Sequence, residues 1–225
     1  MDDTESIVRR EFDAKAAVYE SNRLAPWYMA HADQLLKHLS LQGSDAILDI
    51  GCGTGYLLRQ VAKSRPGVIG IGVDIAPRMV EMARDKAAAE TLPNLAFVRS
   101  DWECLTGEAR ALLAEQPIAC AVCASTFHYF KSPAAATRAI YDVLRPGGAL
   151  LILERARENS LLTGFWHFLH KYLIGDSVHF YTSDEIAKIA EQSGFHEVRV
   201  IAQLRRVFWK NKLYTSLVLV QAVKE

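Results

Sequence analysis

The sequence has no excess of either charge. Lysine plus arginine and aspartate plus glutamate each number 26, so the formal net charge is zero. Proteins that bind nucleic acid usually carry a basic excess, because neutralising phosphates supplies much of their affinity. The one local basic cluster, Arg205–Arg206 with Lys210 and Lys212, is more typical of a solvated turn. We therefore expect no nucleic-acid partner.

Long apolar runs are also missing. Spanning a bilayer takes about 18–20 apolar residues, whereas strictly apolar runs such as Ile118–Ala124 and Gly147–Leu153 have only the length of a strand. The N-terminal residues Met1–Glu5 are acidic and lack the basic-then-apolar pattern of a signal peptide. These absences predict a soluble, cytoplasmic protein without a transmembrane segment.

Cysteine is scarce, and its spacing does not indicate a metal or redox site. Two of the four cysteines, Cys120 and Cys123, form a Cys-x-x-Cys pattern, which functional pairs usually place on a turn or at a helix start. Here the pattern lies inside the apolar run Ile118–Ala124, where positions three apart point to opposite faces of a strand. We predict reduced thiols in the core and no metal site.

Short apolar runs alternate with amphipathic segments from Ala46 onward. This order is the signature of βαβ units in a mostly parallel sheet with helices on both faces. A tight turn at Arg145–Gly148 leads into the fifth apolar run. The predicted fold class is α/β, a Rossmann-like seven-stranded sheet whose last strands form a terminal pair: Ala46–Ile50, Val68–Val73, Leu95–Val98, Ile118–Ala124, Ala149–Leu153, Val198–Ala202 and Tyr214–Val223.

The whole chain, residues 1–225, is predicted to form a single domain with two additions to the alternating core. Residues 1–43 precede the sheet and are predicted to be a helical cap, the core covers 44–154, and 155–182 is an insertion rich in aromatic residues and histidine. Residues 183–225 supply a last helix and the terminal strands. The simplest organisation is one domain carrying a cap and an insertion.

The most informative stretch is the glycine-rich run that follows the first predicted strand. Glycines at 51, 53 and 55 alternate with other residues directly after Asp49-Ile50, and a helix follows. Glycine permits a sharp turn and close approach of backbone to a ligand, and the helix start offers unpaired N–H groups. The spacing differs from the Gly-x-Gly-x-x-Gly of dinucleotide sites and lacks the Lys-Ser/Thr of a phosphate-binding loop. An ordinary glycine-rich turn is the alternative.

Two further acidic positions follow the next two strands. Asp74 ends the second strand, 19 residues after Gly55, where a carboxylate can accept hydrogen bonds from both ribose hydroxyls. Nicotinamide sites use the same device, so Asp74 alone does not choose between cofactors. Asp101-Trp102 follows the third strand. Asp74 and the glycine run together favour a cofactor that contains adenosine.

These residues resemble the first motif, Asp-x-Gly-x-Gly-x-Gly, and the following acidic positions of class I S-adenosylmethionine (SAM)-dependent methyltransferases, over residues 44–154. The resemblance implies a SAM cofactor, an antiparallel C-terminal strand, and a tyrosine, Tyr19, closing over the site. It also implies that Asp49 holds the cofactor's amino group and Asp101 the adenine. The implied cofactor-binding residues are Tyr19, Asp49, Gly51, Cys52, Gly53, Gly55, Asp74, Ile75, Met79, Asp101, Trp102 and Ser125.

His128 follows the fourth strand, at the sheet edge where ligands bind in open α/β sheets. Imidazole titrates near neutral pH, so His128 is the candidate catalytic base, although positioning of substrate is an equal alternative. Ser125 stands where metal-dependent relatives would place an aspartate, so no magnesium is expected. The insertion suggests a substrate cover, with simple packing as its alternative, and the candidate substrate-binding residues are His128, Trp166, His170, Phe180 and Tyr181.

The sequence therefore predicts SAM-dependent methyl transfer to carbon, oxygen or sulfur of a small apolar or aromatic metabolite. The resemblance is to the small-molecule branch that includes ubiquinone- and menaquinone-biosynthesis methyltransferases. Two other functions stay open: a nicotinamide-dependent oxidoreductase, and a non-catalytic SAM-binding regulatory protein. The expected partner is the small-molecule substrate, and a homodimer is an alternative to a monomer.

Overall fold

The structure is a computed structural model that describes residues 3–21, 25–105, 107–156, 179–204, 207–209, 212–214 and 217–225. The helices are α1 (Asp3–Lys15), α2 (Ala25–Leu36), α3 (Tyr56–Ser64), α4 (Pro77–Ala89), α5 (Gly107–Ala114), α6 (Pro133–Val143) and α7 (Ser183–Gln192). The strands are β1 (Ala46–Ile50), β2 (Ile69–Asp74), β3 (Leu95–Arg99), β4 (Ile118–Ala124), β5 (Leu144–Arg155), β6 (His196–Leu204), β7 (Val207–Trp209), β8 (Lys212–Tyr214) and β9 (Leu217–Val223). Among the described helices, none is long and apolar enough to cross a membrane.

Seven of the strands form one sheet in the order β3-β2-β1-β4-β5-β9-β6. The first five pair in parallel, as expected for strands that read as continuous apolar runs and are covered on both faces. β9 runs antiparallel to both of its neighbours, β5 and β6. The predicted α/β fold, with a mostly parallel seven-stranded sheet and an antiparallel C-terminal strand, is confirmed.

Two hydrophobic clusters occupy the two faces of the sheet. One packs α5, α6 and α7 against the strands, and the other packs α2, α3 and α4. The two cysteines of the Cys-x-x-Cys pattern divide between them, because Cys123 belongs to the first cluster and Cys120 to the second. Both are free and buried, as predicted for thiols inside a strand.

Two strand predictions need correction. β5 begins at Leu144 and not at Ala149, because Leu144 already pairs with Ile118 before the register shifts within the predicted turn. The predicted strand Tyr214–Val223 is wrong as one element. β9 starts only at Leu217, the residue that pairs with the last residues of both β5 and β6, whereas Tyr214 belongs to a separate β7–β8 ribbon.

The start of α7 is fixed by a side-chain cap. Thr182 is the N-cap: its side chain accepts a hydrogen bond from the backbone N–H of Glu185. The Glu185 side chain in return accepts one from the backbone N–H of Thr182. This reciprocal capping box satisfies two backbone donors that the helix would otherwise leave unpaired.

Candidate active site

A cavity of about 340 Å³ lies at the carboxyl edge of the parallel strands. The parallel arrangement brings the residues that follow β1, β2, β3 and β4 to this edge, and Arg155 at the end of β5 also lines the cavity. The N-terminal helices α1 and α2 contribute the opposite wall. The sheet therefore gathers polar groups that are far apart along the chain around one space.

The glycine turn after β1 forms the floor of the cavity. Gly51 and Gly53 both have positive φ, +72° and +53°, which residues with a Cβ rarely adopt. The backbone N–H of Gly51 donates to the carbonyl of Val73 at 2.8 Å, and that of Gly53 donates to Oδ2 of Asp74, also at 2.8 Å. Among the described residues, a Cβ added at Gly53 would have one neighbour within 4 Å, the Tyr19 ring at 3.7 Å. The turn is thus tied to β2, and its Gly53 side faces the cavity.

Two buried carboxylates flank this turn. Asp49 is 4% exposed, and burial, followed by the nearby charge of Asp74, raises its pKa to about 7. Burial also raises the pKa of Asp74, even though the backbone N–H groups of Ala76 and Gly53 favour its ionised form. Among the described residues, no lysine or arginine forms an ion pair with either carboxylate. The pair therefore suits a ligand that brings its own ammonium or hydroxyl donors.

The acidic residue after β3 also lines the cavity. Oδ1 of Asp101 accepts a hydrogen bond from the backbone N–H of Glu103 at 2.9 Å, which fixes the loop. Trp102 is buried, and its indole N–H donates to the carbonyl of Ala136 at 3.1 Å. Ile75 lies on the same wall, after β2. This end of the cavity offers an apolar side chain and an acceptor, which suits an aromatic ring that carries an amino group.

Three predicted site residues lie in the packing and not on the cavity wall. Gly55 starts α3 with φ +75°, and a Cβ there would meet the Phe97 ring at 2.7 Å, so its role is close helix packing. Met79 is fully buried in a small cluster with Ala16. Tyr181 belongs to the main core, where its ring packs edge-on against Phe127. Their contacts with a ligand therefore stay predictions, since the three side chains pack inside the fold.

His128 lies on the cavity wall beside a buried carboxylate. Its Nδ1 is 2.9 Å from Oε1 of Glu154, a fully buried residue near the end of β5. Burial alone would raise the pKa of Glu154, but His128 and the backbone N–H of Arg155 hold it below its usual range. The Phe180 ring lies stacked 6.4 Å from the imidazole. Trp166 and His170, the other predicted substrate residues, lie outside the described residues.

Ser125 has a partner that its sequence position did not indicate. Its Oγ lies 2.8 Å from Nδ1 of His31 in α2, 94 residues earlier in the chain, and its φ is +52°. Burial lowers the pKa of His31 to about 4, so this imidazole is neutral near pH 7. The pair joins the N-terminal cap to the end of β4. No local pattern could have predicted it, since the two residues meet only in the folded chain.

The N-terminal segment is also fastened to the glycine turn. The Tyr19 ring stacks on Tyr28 with 4.5 Å between centroids. The next residue, Glu20, accepts hydrogen bonds at 2.6 Å from Thr54 of the turn and from Arg59 of α3. Burial would raise the pKa of Glu20, but these hydrogen bonds lower it. The N-terminal segment thus lies over the glycine turn, and the hydrogen bonds and ion pair of Glu20 hold it there.

SAM presents an ammonium group, a ribose diol and an adenine ring to whatever binds it. In the cavity, Asp49 offers an acceptor for the ammonium group and Asp74 offers one for the ribose hydroxyls. Ile75 offers an apolar surface for the adenine ring, and Asp101 an acceptor for its amino group. The glycine turn between them leaves space at Gly53. When bound, the cofactor supplies an electrophilic methyl group on its sulfonium. The strand order, the glycine turn and this set of acceptors define a class I SAM-dependent methyltransferase.

Comparison with known proteins agrees with this class. Residues 21–200 match the family described as a methyltransferase domain, and the chain belongs to that family. A malonyl-[acyl-carrier protein] O-methyltransferase from Priestia megaterium is 26% identical over 83% of this chain and 67% of its own length. A demethylmenaquinone methyltransferase from Tropheryma whipplei is 24% identical over 96% of this chain and 91% of its own length. The chain spans about half to two thirds of the length of the two malonyl-[acyl-carrier protein] O-methyltransferases that it matches.

The fold is shared with solved methyltransferases. Magnesium protoporphyrin IX methyltransferase from Synechocystis, solved with bound S-adenosylhomocysteine, superposes with a TM-score of 0.73 at 18% identity, covering 98% of this chain and all of that one. Together with the family match, this shared fold agrees with the assignment of the chain to the SAM-dependent methyltransferases. These relatives give no support to a nicotinamide oxidoreductase or to a non-catalytic regulator.

Proposed function

We propose that the protein transfers the SAM methyl group to a small acceptor that is apolar or aromatic. The observation that carries the proposal is the composition of the cavity apart from the two carboxylates: Phe12, Tyr28, Tyr129 and Phe130 line it together with His128. Aromatic side chains bury large apolar areas and suit ring-shaped ligands. An acceptor that resembles demethylmenaquinone in being apolar fits this wall. Carbon, oxygen and sulfur all stay open as the acceptor atom.

The direct test is product formation. The protein, SAM and a panel of aromatic and aliphatic acceptors are incubated, and both S-adenosylhomocysteine and the methylated product are measured by mass spectrometry. We expect the aromatic acceptors to give stoichiometric amounts of the two products. Turnover of polar aliphatic acceptors alone would contradict the proposed substrate class.

The assignment of Asp74 to the cofactor ribose gives a first binding prediction. Replacing Asp74 by Ala removes charge-assisted hydrogen bonds, typically worth about 1.5–3 kcal/mol, so SAM affinity should fall about tenfold or more. Calorimetric titration measures it, with Asp85→Ala as the control because Asp85 is exposed on α4. The folded variant must show a wild-type circular dichroism spectrum. An unchanged dissociation constant would refute the ribose assignment.

Asp49 gives a prediction with a pH dependence. Its pKa is about 7 in the folded chain, against about 3.9 for an unfolded aspartate. A raised folded pKa means that stability is fully present below about pH 4 and is lost as the pH rises through 7. Asp49→Asn should therefore stabilise the ligand-free protein at pH 8 by more than about 1 kcal/mol and change little at pH 4.

The same variant should bind SAM more weakly, because the amide cannot offer a charge to the cofactor ammonium. Chemical unfolding at the two pH values and calorimetry with SAM measure the two effects, with Asp85→Asn as the exposed control. A variant that is less stable than wild type at pH 8, or one that binds SAM equally well, would contradict the assignment.

Other expectations from the sequence stay predictions. They are a homodimer, a cytoplasmic location, and the division into a cap (1–43), a SAM-binding core (44–154), a substrate cover (155–182) and a C-terminal part (183–225). The structure modifies one detail, since β5 continues through Arg155 and so extends past the proposed boundary at 154.

A further inference from the structure

We propose that Glu154 is a positioning residue that holds the His128 imidazole with Nε2 toward the cavity, so that His128 removes the proton of an acidic hydroxyl on the acceptor. This inference rests on the proposed function and deepens it, because it names the class of acceptor. The acceptor would be a phenol, an enol or a hydroquinone. A carboxylate would not need such a pair, since it is already an anion.

The geometry supplies the first argument. Nδ1 of His128 and Oε1 of Glu154 are 2.9 Å apart, and the exposed fractions of the two side chains are 2% and 0%. A buried carboxylate beside one ring nitrogen favours a proton on that nitrogen, which leaves the other as an acceptor. Among the described residues, Nε2 has no hydrogen-bond partner although it is buried. His128 lines the cavity, and the proposal places the acceptor hydroxyl against this unpaired nitrogen.

Nδ1 of His128 and Oε1 of Glu154 are close, but their geometry in the ligand-free protein is not yet that of a hydrogen bond. Such contacts commonly tighten only when substrate is bound, so the ligand-free geometry is compatible with catalysis. The backbone N–H of Arg155 donates to the same Oε1 at 2.8 Å, which fixes the carboxylate from the strand. Glu154 is thus anchored by β5 and faces the residue that it would orient.

Several titratable groups surround the pair, and their charges are compatible with the proposal. Arg155 favours the ionised form of Glu154, as does His128. His31 of α2, close enough to sense Glu154, is neutral near pH 7. Burial also raises the pKa of the Cys123 thiol and of the Tyr181 phenol, so both of these neighbours are uncharged near pH 7.

The chemistry balances without a further reactant. The acceptor O–H bond breaks and its proton moves to Nε2 of His128, while the electron pair freed on the acceptor takes the methyl group. The methyl–sulfur electron pair stays on sulfur, which neutralises the sulfonium. The imidazolium is stabilised by Glu154 until its proton passes to water. The buried carboxylate thus has two roles, since it orients the neutral ring and stabilises the imidazolium that forms when the proton moves onto it.

The first experiment reads the tautomer directly and does not depend on turnover. Nitrogen-15 NMR of the protein bound to S-adenosylhomocysteine identifies the protonated ring nitrogen of His128, with the signal assigned by its loss in His128→Asn. We expect Nδ1–H in wild type and in Glu154→Asp, and mostly Nε2–H in Glu154→Met, which has a similar volume. The same tautomer in wild type and Glu154→Met, or Nε2–H in wild type, would overturn the proposal.

The second experiment addresses the acceptor class with 1-naphthol, catechol and 1,4-naphthohydroquinone as hydroxyl probes and 1-naphthoate as the carboxylate probe. We expect the wild-type protein to methylate a hydroxyl probe. In Glu154→Gln, kcat should fall about tenfold or more and the acid limb of the pH–rate profile should move to lower pH. Glu154→Asp should restore part of the lost kcat. Transfer only to naphthoate, or no transfer to any hydroxyl probe while SAM binds, would overturn the acceptor class. Failure to bind SAM by calorimetry would instead overturn the proposed function itself.

Discussion

Gly53→Val should abolish detectable SAM binding, a loss of more than about a hundredfold in affinity. The structure leaves the Gly53 side of the turn open, because an added Cβ would have one neighbour within 4 Å in the described part of the chain, the Tyr19 ring at 3.7 Å. A valine side chain would therefore project into the space that the cofactor needs. It would also disturb the turn, whose N–H is fixed by Asp74. Calorimetric titration with SAM measures the effect.

The chain offers a matched control for backbone strain. Gly43 has φ +50°, close to the +53° of Gly53, and a Cβ there would meet nothing within 4 Å. Valine at either position suffers the same unfavourable left-handed conformation, but only one of them adjoins the cavity. Gly43→Val should lose similar stability and keep SAM affinity. Equal losses of affinity in both variants would show that strain, and not obstruction, is responsible.

His128→Asn should lower kcat by about a hundredfold or more, the typical contribution of a general base. It should also remove the acid limb of the pH–rate profile, because asparagine cannot take up the proton. Steady-state kinetics across pH measure both effects on the acceptor found by the product assay. His196→Asn is the control, since the His196 side chain is 54% exposed and lies on β6.

A different result would select the alternative role of His128. If the residue only positions substrate, turnover falls in His128→Asn while the pH dependence survives unchanged. SAM affinity should stay at the wild-type value in either case, because the cofactor acceptors Asp49 and Asp74 belong to other strands. Weakened SAM binding would instead indicate that the imidazole supports the cofactor pocket.

The strands were predictable because local chemistry determines them. Ile118–Ala124 is apolar throughout and coincides with β4, and the glycine turn has the positive φ angles that its composition suggests. The strand that begins at Leu144 was placed too late, because proline and glycine in its first residues resemble a turn. Only its pairing with Ile118 reveals that it belongs to the sheet.

The site was less predictable wherever it depends on distant contacts. Asp49 and Asp74 could be identified, since each ends or lies within an apolar strand. The contacts of Ser125 with His31, and of Glu20 with Arg59, join segments 94 and 39 residues apart and leave no local signal. Met79 was named from the family resemblance alone, and only the structure shows that its side chain packs in a small buried cluster.

The position of β9 has a consequence for how the chain is made. β9 lies between β5 and β6, although it follows both in the sequence. When β6 leaves the ribosome, β9 has not yet been synthesised. The backbone edges of β5 and β6 that pair with β9 in the folded protein therefore stay unpaired until Leu217–Val223 has been made. Exposed edges of this kind favour association with other chains. Translation that stalls before Leu217 should therefore yield an aggregation-prone intermediate. Chaperones that cover exposed strand edges would have their largest effect at this stage of synthesis.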